Sequence, residues 1–204
     1  MNTHEILEVL INKIHTVIIA TSQDNKPYTC AIDLMLVENN KIYFLTARGK
    51  SFYQRLSNNN IALTGLKGED TMSSIAITIN GKVRNIKHEK LIEIFNKNPY
   101  MKTIYPNKKA RDALEVFEIY EYSGEYFDLS QKPIYRQSFS LNQSIKENGY
   151  YINDKCCGCT SCVTLCPQQC INTTNIPFII NQNNCLHCGK CAEVCQYNAI
   201  DRRS

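Results

Sequence analysis

Strand-length apolar runs broken by polar turns dominate most of the chain, the pattern of a sheet protein rather than a helical one. The exception comes first. Ile6, Leu7, Leu10, Ile11 and Ile14 recur at helical intervals, with Thr3 placed to cap that helix and Glu5 in its first turn. Residues 16–21 are β-branched and apolar, and Asp24-Asn25-Lys26 turns the chain into a strand over 28–37. Glu38-Asn39-Asn40-Lys41 leads into another over 42–46. A glycine loop, Ala47-Arg48-Gly49-Lys50, opens a short helix over 51–57, and strands follow over 61–66 and 75–86. A helix over 88–96 ends at Asn98-Pro99, because the residue before a proline is pushed out of the helical region. A long strand over 113–122 is turned or bulged by Ser123-Gly124 before 125–129. Six or so strands, mostly joined by hairpins, with a few peripheral helices predict a small barrel.

The pattern breaks near residue 140. The stretch over 140–148 is polar and aperiodic, which predicts a barrel domain over 1–140, a linker over 141–149 and a small α+β domain over 150–204. The fold class is therefore mainly β with a small C-terminal appendage. Hydrophobic residues make up 43% of the chain, enough for an ordinary globular core. No apolar run reaches the ~18 residues of a membrane span, and no signal peptide is evident. Neither a membrane nor an export route is expected, and the expected location is the cytoplasm.

Cysteine spacing then changes the picture. Cys156-x-x-Cys159-x-x-Cys162-x-x-x-Cys166-Pro167 is followed by Cys185-x-x-Cys188-x-x-Cys191-x-x-x-Cys195. This is the bacterial ferredoxin pattern, written twice. A loop with Cys at every third position can wrap three corners of an iron–sulfur cube, and in the pattern the fourth Cys serves the other cube. The resemblance implies two 4Fe–4S clusters. One takes Cys156, Cys159, Cys162 and Cys195; the other takes Cys185, Cys188, Cys191 and Cys166. The flanks repeat too: Tyr150-Tyr151-Ile152 precedes the first loop and Phe178-Ile179-Ile180 the second, while Ile171 and Ile200 each follow the fourth Cys by five residues. One departure is that Gln196, not proline, follows Cys195. Cys157 and Cys170 fall outside the ligand pattern and are expected to be small filler residues. His187, inside the second loop, is expected to face solvent.

Structural zinc is the competing reading, but zinc sites usually pair two Cys-x-x-Cys elements across a longer gap. A disulfide framework would belong to a small secreted chain. The formal charge of +4 is no nucleic-acid signal. Each oxidised cluster with its four thiolates contributes about −2, so two cancel the excess. Basic residues are scattered, with no stripe of interleaved aromatics. Clusters of this kind favour a low-oxygen setting.

The first 140 residues resemble the pyridoxamine 5'-phosphate oxidase-like family of FMN-binding split barrels. The resemblance rests on element order and on four segments: 26–31 leading a strand, 41–51, 58–63 after the short helix, and 117–129. It implies FMN bound at a homodimer interface, with the phosphate near Thr46, Arg48, Lys50 and Ser51 and the strand Cys30-Ala31-Ile32 beside the flavin ring. Cationic side chains, hydroxyls and helix-start amides suit a phosphate. Haem or an empty barrel are the alternatives. Oxidation of pyridoxamine phosphate by oxygen is not expected, because a ferredoxin module takes the C-terminal position of that enzyme's substrate segment. Together the halves imply an oxidoreductase. Its clusters take single electrons from a soluble ferredoxin or iron–sulfur oxidoreductase, and its flavin reduces a small molecule. An electron carrier, a redox sensor and a flavin-storage protein are the alternatives. No catalytic side chain is assigned: His15 lacks a carboxylate nearby in sequence, and Tyr100 and Tyr105 read as aromatic core residues.

Overall fold

A computed structural model describes residues 1–145 and 148–203. The chain divides into two compact units. The first comprises Met1–Lys67, Ala76–Glu125 and Ser138–Ser144; the second comprises Gly68–Ile75, Tyr126–Gln137 and Ile145–Ser204.

The first unit is built on β1 (Thr16–Gln23), β2 (Lys26–Glu38), β3 (Lys41–Ala47), β4 (Asn60–Lys67), β5 (Ile75–Asn85) and β6 (Leu114–Asp128). Their order is β3-β2-β1-β4-β5-β6, and β6 pairs back onto β3, so six strands close into a barrel. β7 (Tyr135–Leu141) adds to β6 from outside that ring. The closing ladder sets Ile42 opposite Ile119 and Ala47 opposite Leu114. Alternation puts Val17 and Ile19 inside and Thr16 and Ile18 outside. Phe44 stacks on Phe117 at 5.6 Å in the interior.

Several element ends differ from the sequence expectation, each for a local reason. α1 (Thr3–Val9) is capped by Asn2, whose side chain accepts from Glu5 N at 2.9 Å while Glu5 reaches back to Asn2 N. Thr3 is the first helical residue, and a π-helical turn over Leu10–Ile14 carries the chain on. α2 (Ser51–Arg55) is short, closed by a 3₁₀ turn over Leu56–Asn58. α3 (Leu91–Lys97) starts three residues late, because Lys90 is left-handed while its ammonium bridges Glu38 and Glu93. Asn98 closes α3 by donating to Ile94 O and to Met35 O. Met35 lies where the β2–β3 register shifts, so this bond serves a carbonyl at the irregularity. The short α4 (Met101–Ile104) and α5 (Lys108–Arg111) follow. Ile94, Phe95 and Met101 pack on Leu36, Tyr43 and Val116. β6 runs unbroken past Ser123-Gly124. A Cβ on Gly124 would stand 2.5 Å from Thr78 O and 2.6 Å from the Phe139 ring, so the glycine serves close approach rather than a turn.

Two buried acids on β6 organise the barrel wall. Glu118 binds Lys41 at 2.9 Å, Arg84, and the Tyr43 hydroxyl at 3.1 Å. Burial alone would push its carboxyl up; the hydrogen bonds from Lys41, Arg84 and Tyr43 overcome that and hold it below the usual range. A carboxylate so depressed stabilises the fold above its unfolded value and loses that contribution as pH falls through the lower folded value. Glu118→Gln is expected to cost about 2–3 kcal/mol in a denaturant titration at pH 7. That is less than a fully buried pair because both cations reach solvent. The deficit should shrink as pH falls below the ordinary carboxylate range, where wild-type Glu118 loses its charge in turn.

The second unit contains β8 (Gly149–Ile152), α6 (Ser161–Thr164), β9 (Ile171–Asn172), β10 (Ile179–Ile180), α7 (Lys190–Glu193) and β11 (Ile200–Arg203). Its core is Cys162, Cys170, Ile171, Phe178, Ile180, Cys185 and Cys191. The linker expected over 141–149 is shorter in the structure. Leu141 still belongs to β7, and Gly149 already opens β8. Lys146 and Glu147 of that linker lie outside the described residues. The two units also differ from a single cut in sequence, because segments 68–75 and 126–137 belong to the second. Leu129 N donates to Ser74 O at 3.0 Å, Ile134 N to Gln168 Oε1 at 3.0 Å, and Asn184 Nδ2 to Ile134 O at 2.8 Å. Among the described residues no helix is long and apolar enough to cross a membrane.

Candidate functional site

Strand pairing in the second unit decides which thiols meet. β8 opens the first half and pairs with β11, which ends the second, setting Ile152 opposite Ile200. Cys156 follows Ile152 by four residues and Cys195 precedes Ile200 by five, so this ladder carries Cys195 to the first loop. β10 opens the second half and pairs with β9, setting Ile180 opposite Ile171. Cys185 follows Ile180 by five residues and Cys166 precedes Ile171 by five, so Cys166 goes to the second loop. Cys156, Cys159, Cys162 and Cys195 accordingly line one cavity. Cys166, Cys185, Cys188 and Cys191 line another. Their free volumes out to the mouths are nearly equal, about 330 and 340 Å³.

The duplication extends to the backbone, at an interval of 29 residues (185 minus 156). Positive φ recurs at Gly158 and His187 (75° and 56°), at Thr160 and Gly189 (66° and 79°), and at Gln169 and Asn198 (49° and 47°). These left-handed residues curl each loop so that successive thiols face inward. At Gly189 a Cβ would lie 2.6 Å from the Tyr150 hydroxyl.

The donor set fits a polynuclear cluster. A single tetrahedral zinc with bonds near 2.3 Å would draw its sulfurs to about 3.8 Å from one another. Among the described residues no three His, Cys, Asp or Glu side chains are grouped to hold one ion, and the thiols ring wider cavities instead. Burial pushes the Cys162 and Cys191 thiols up, Cys191 to about 11. Metal binding would supply the drive to deprotonate them. Cys185 is brought down to about 6, first by a hydrogen bond from Cys170 and against its own burial. The backbone N–H and hydroxyl of Ser161 lower Cys159.

The residues outside the ligand pattern separate. Cys170 is buried, with its Sγ 3.6 Å from Cys166 Sγ. Cys157 is exposed and bonds to the Tyr197 hydroxyl, so it is not filler. His187 does not face solvent. Its Nε2 is buried with no hydrogen-bond partner among the described residues, and burial followed by the Arg136 charge pushes the imidazole down.

In the barrel unit the phosphate candidates lie in one run. Thr46 is on β3, Arg48 and Gly49 form the turn, Lys50 precedes α2 and Ser51 begins it. Thr46 Oγ1 is buried and has no partner among the described residues, a hydroxyl available to a ligand. Arg48 is engaged, 3.3 Å from Glu115. Glu115 also accepts from Tyr53 at 2.6 Å and from Asn85, and these bonds hold its carboxyl low. Lys50 makes no ion pair among the described residues. α2 has five residues, so its start offers local amides and little macrodipole. Cys30, Ala31 and Ile32 precede Leu34 on β2, and Leu34 sits opposite Phe44, two residues before Thr46. Both segments therefore lie toward the same end of the β2–β3 ladder. Ile32 is buried, Cys30 half-buried and Ala31 exposed. These residues fit a phosphate-bearing cofactor.

One polar group escaped the sequence reading. His15 Nε2 lies 3.1 Å from the Tyr100 hydroxyl, which donates to Asp33 Oδ2 at 3.1 Å. Thr16 Oγ1 donates to Asp33 Oδ1 at 2.6 Å. Burial, then the Asp33 hydrogen bond, push Tyr100 up to about 12. The partners are far apart in sequence, and the one available signal was Asp33 beside the suspected flavin strand.

Residues 178–201 match the family model of the 4Fe-4S binding domain. A ferredoxin from Rickettsia felis is 37% identical over 57 residues, covering 27% of this chain and 52% of that protein. A protein named ferredoxin 7Fe from Hydrogenibacillus schlegelii is 38% identical over 53 residues, covering 25% and 68%. The chain thus spans about half the length of the first of these relatives. Among solved structures, a NimC/NimA family protein from Clostridium acetobutylicum superposes with a TM-score of 0.57 at 17% identity, over 69% of this chain and 92% of that one. A protein from the same organism, related to general stress protein 26 and described as of the pyridoxinephosphate oxidase family, gives 0.51 at 13% identity, over 70% and 98%. The likeness to these two structures shows fold alone. An iron–sulfur domain joined to this barrel supports an electron-transfer redox function. Through its C-terminal segment the chain belongs to the 4Fe–4S ferredoxin family, fused behind a split barrel of the pyridoxamine 5'-phosphate oxidase-like fold.

Proposed function

We propose that this chain is a flavin/iron–sulfur oxidoreductase that takes single electrons from a soluble ferredoxin or iron–sulfur oxidoreductase and reduces a small molecule. The observation that carries it is the pair of four-thiol cavities in a chain whose barrel keeps a buried hydroxyl at Thr46 with no partner among the described residues. Bound 4Fe–4S clusters supply one-electron carriers, and bound FMN supplies a centre that exchanges one or two electrons.

The protein's own groups do the rest. Each set of four cysteines holds one cluster, and Ile171, Phe178 and Ile180 keep water from the thiolates. Lys50 and Arg48 offer charge to the phosphate, and Thr46 and Ser51 offer hydroxyls. Cys30, Ala31 and Ile32 flank the ring. Tyr100 and His15 form a hydrogen-bonded group with Asp33, the residue next along β2. The chain passes between its two units five times, which tethers the electron carriers to the flavin unit. Outward apolar residues on paired strands, Ile18 opposite Ala31, suit a homodimer. The cytoplasm is the proposed location.

Anaerobic turnover tests this reading. The photoreduced protein is mixed with a nitro-aromatic, a quinone or free flavin, and flavin and cluster absorbance are followed. At least one acceptor should reoxidise both chromophores repeatedly, faster than about 1 s⁻¹. If every small acceptor leaves the reduced protein untouched while an oxidised ferredoxin reoxidises it, the protein is a carrier and the oxidoreductase reading falls.

A further inference from the structure

The two cysteine cavities are alike in their four ligand positions and differ one turn further on. Cys170 follows Cys166 by four residues, and Ala199 follows Cys195 by the same interval. Both positions are buried, Cys170 8% and Ala199 2% exposed. In the first site Ala199 offers only its backbone N–H, which donates to Cys195 Sγ at 3.4 Å. In the second site a thiol occupies the equivalent place. Cys170 Sγ is 3.6 Å from Cys166 Sγ, is hydrogen-bonded to Cys185 and lines the same cavity as all four ligands.

Cluster binding settles which sulfur donates. Coordinated to iron, Cys166 and Cys185 are thiolates and carry no proton. A third negative sulfur beside an already anionic cluster would be repelled, so Cys170 keeps its hydrogen and presents it to one of the two ligands. A donor aimed at a ligand sulfur stabilises the more negative, reduced cluster over the oxidised one. Burial strengthens this, because no water competes for the sulfur.

We propose that Cys170 is a positioning residue that donates an S–H hydrogen bond to the thiolates of the second site and raises that site's reduction potential, while Ala199 leaves the first site without such a side-chain donor. This deepens the oxidoreductase reading and rests on it, since it requires a cluster in each cavity. Two couples set apart in this way would direct an electron toward the second site.

The duplication supplies its own control, because Cys170→Ala installs the residue that the first half already accommodates. Wild type, Cys170→Ala and Cys170→Ser are purified without oxygen, assayed for iron and acid-labile sulfide, and titrated potentiometrically with spin-resonance detection. Cys170→Ala should keep full iron and sulfide. It should move one couple about tenfold toward the oxidised form, or about 59 mV lower for one electron, and leave the other unmoved. Cys170→Ser, which keeps a donor, should restore most of the shift. Unchanged potentials in Cys170→Ala would overturn the proposal. So would loss of the second cluster, which would make Cys170 a ligand. Wild-type protein with fewer than about eight irons would instead overturn the two-cluster reading beneath it.

Discussion

Removing Cys156 and Cys195 together will leave one intact cluster, about four irons per chain, whereas removing Cys185 and Cys195 together will leave none intact. In linear sequence the second pair looks like the natural partnership, since Cys195 ends the second motif. The strand ladders say otherwise. Ile152 pairs with Ile200 and Ile180 with Ile171, so each half begins beside the other half's end. Alanines at 156 and 195 therefore strip one cavity and spare Cys166, Cys185, Cys188 and Cys191. Alanines at 185 and 195 damage both. Iron and sulfide counts with the spin-resonance spectrum of the reduced proteins read the result, and the reverse outcome would refute the crossed assignment. The larger consequence is for folding. The core of this unit includes Cys162, Cys185 and Cys191 themselves, so stripping both clusters leaves buried thiols around empty space. Circular dichroism should show the second unit losing order while the barrel, with its own apolar interior, keeps its unfolding transition.

Lys50→Ala will weaken FMN binding about 10- to 150-fold, the effect of losing one charged hydrogen bond worth about 1.5–3 kcal/mol, and will leave iron content unchanged. Lys50 is a better subject than Arg48, whose guanidinium already answers Glu115. Thr46→Val makes the sharper companion because its two effects have opposite sign. The buried Thr46 hydroxyl lacks a partner among the described residues, so an apolar isostere should stabilise the flavin-free protein by about 1 kcal/mol. The same change should weaken FMN by a few-fold, the size of one neutral hydrogen bond. Flavin fluorescence titration of the stripped protein and its melting temperature give the two readings. A Thr46→Val protein that binds FMN as tightly as wild type would remove Thr46 from the site. Equal loss of flavin and iron in Lys50→Ala would mean that the substitution disturbs the fold rather than a phosphate contact.

Much of the architecture is legible in the sequence. Alternating apolar runs located β1 to β6, and hairpin turns at Asp24-Asn25 and Asn39-Asn40 joined the right neighbours, because period and turn chemistry are local properties. Boundaries failed where a distant partner intervened. Lys90 delays α3 through Glu38, and Gly124 keeps β6 straight because Thr78 and Phe139 crowd it. β7 was hidden in polar residues whose role is set by β6 alongside. The trio of His15, Tyr100 and Asp33 could not be read either, since it spans 85 positions and no motif links them.

What the sequence determined by itself was the chemistry: eight thiols at intervals that match iron–sulfur ligation, and a run of hydroxyl and cationic residues after a strand. Tertiary structure alone decided that segments 68–75 and 126–137 side with the cysteine unit, that Arg48 is partly neutralised, and that Cys170 lies buried beside Cys166. Ligand type and spacing are written along the backbone. Hydrogen-bond partners and burial depend on where strands far apart in the chain come to lie side by side.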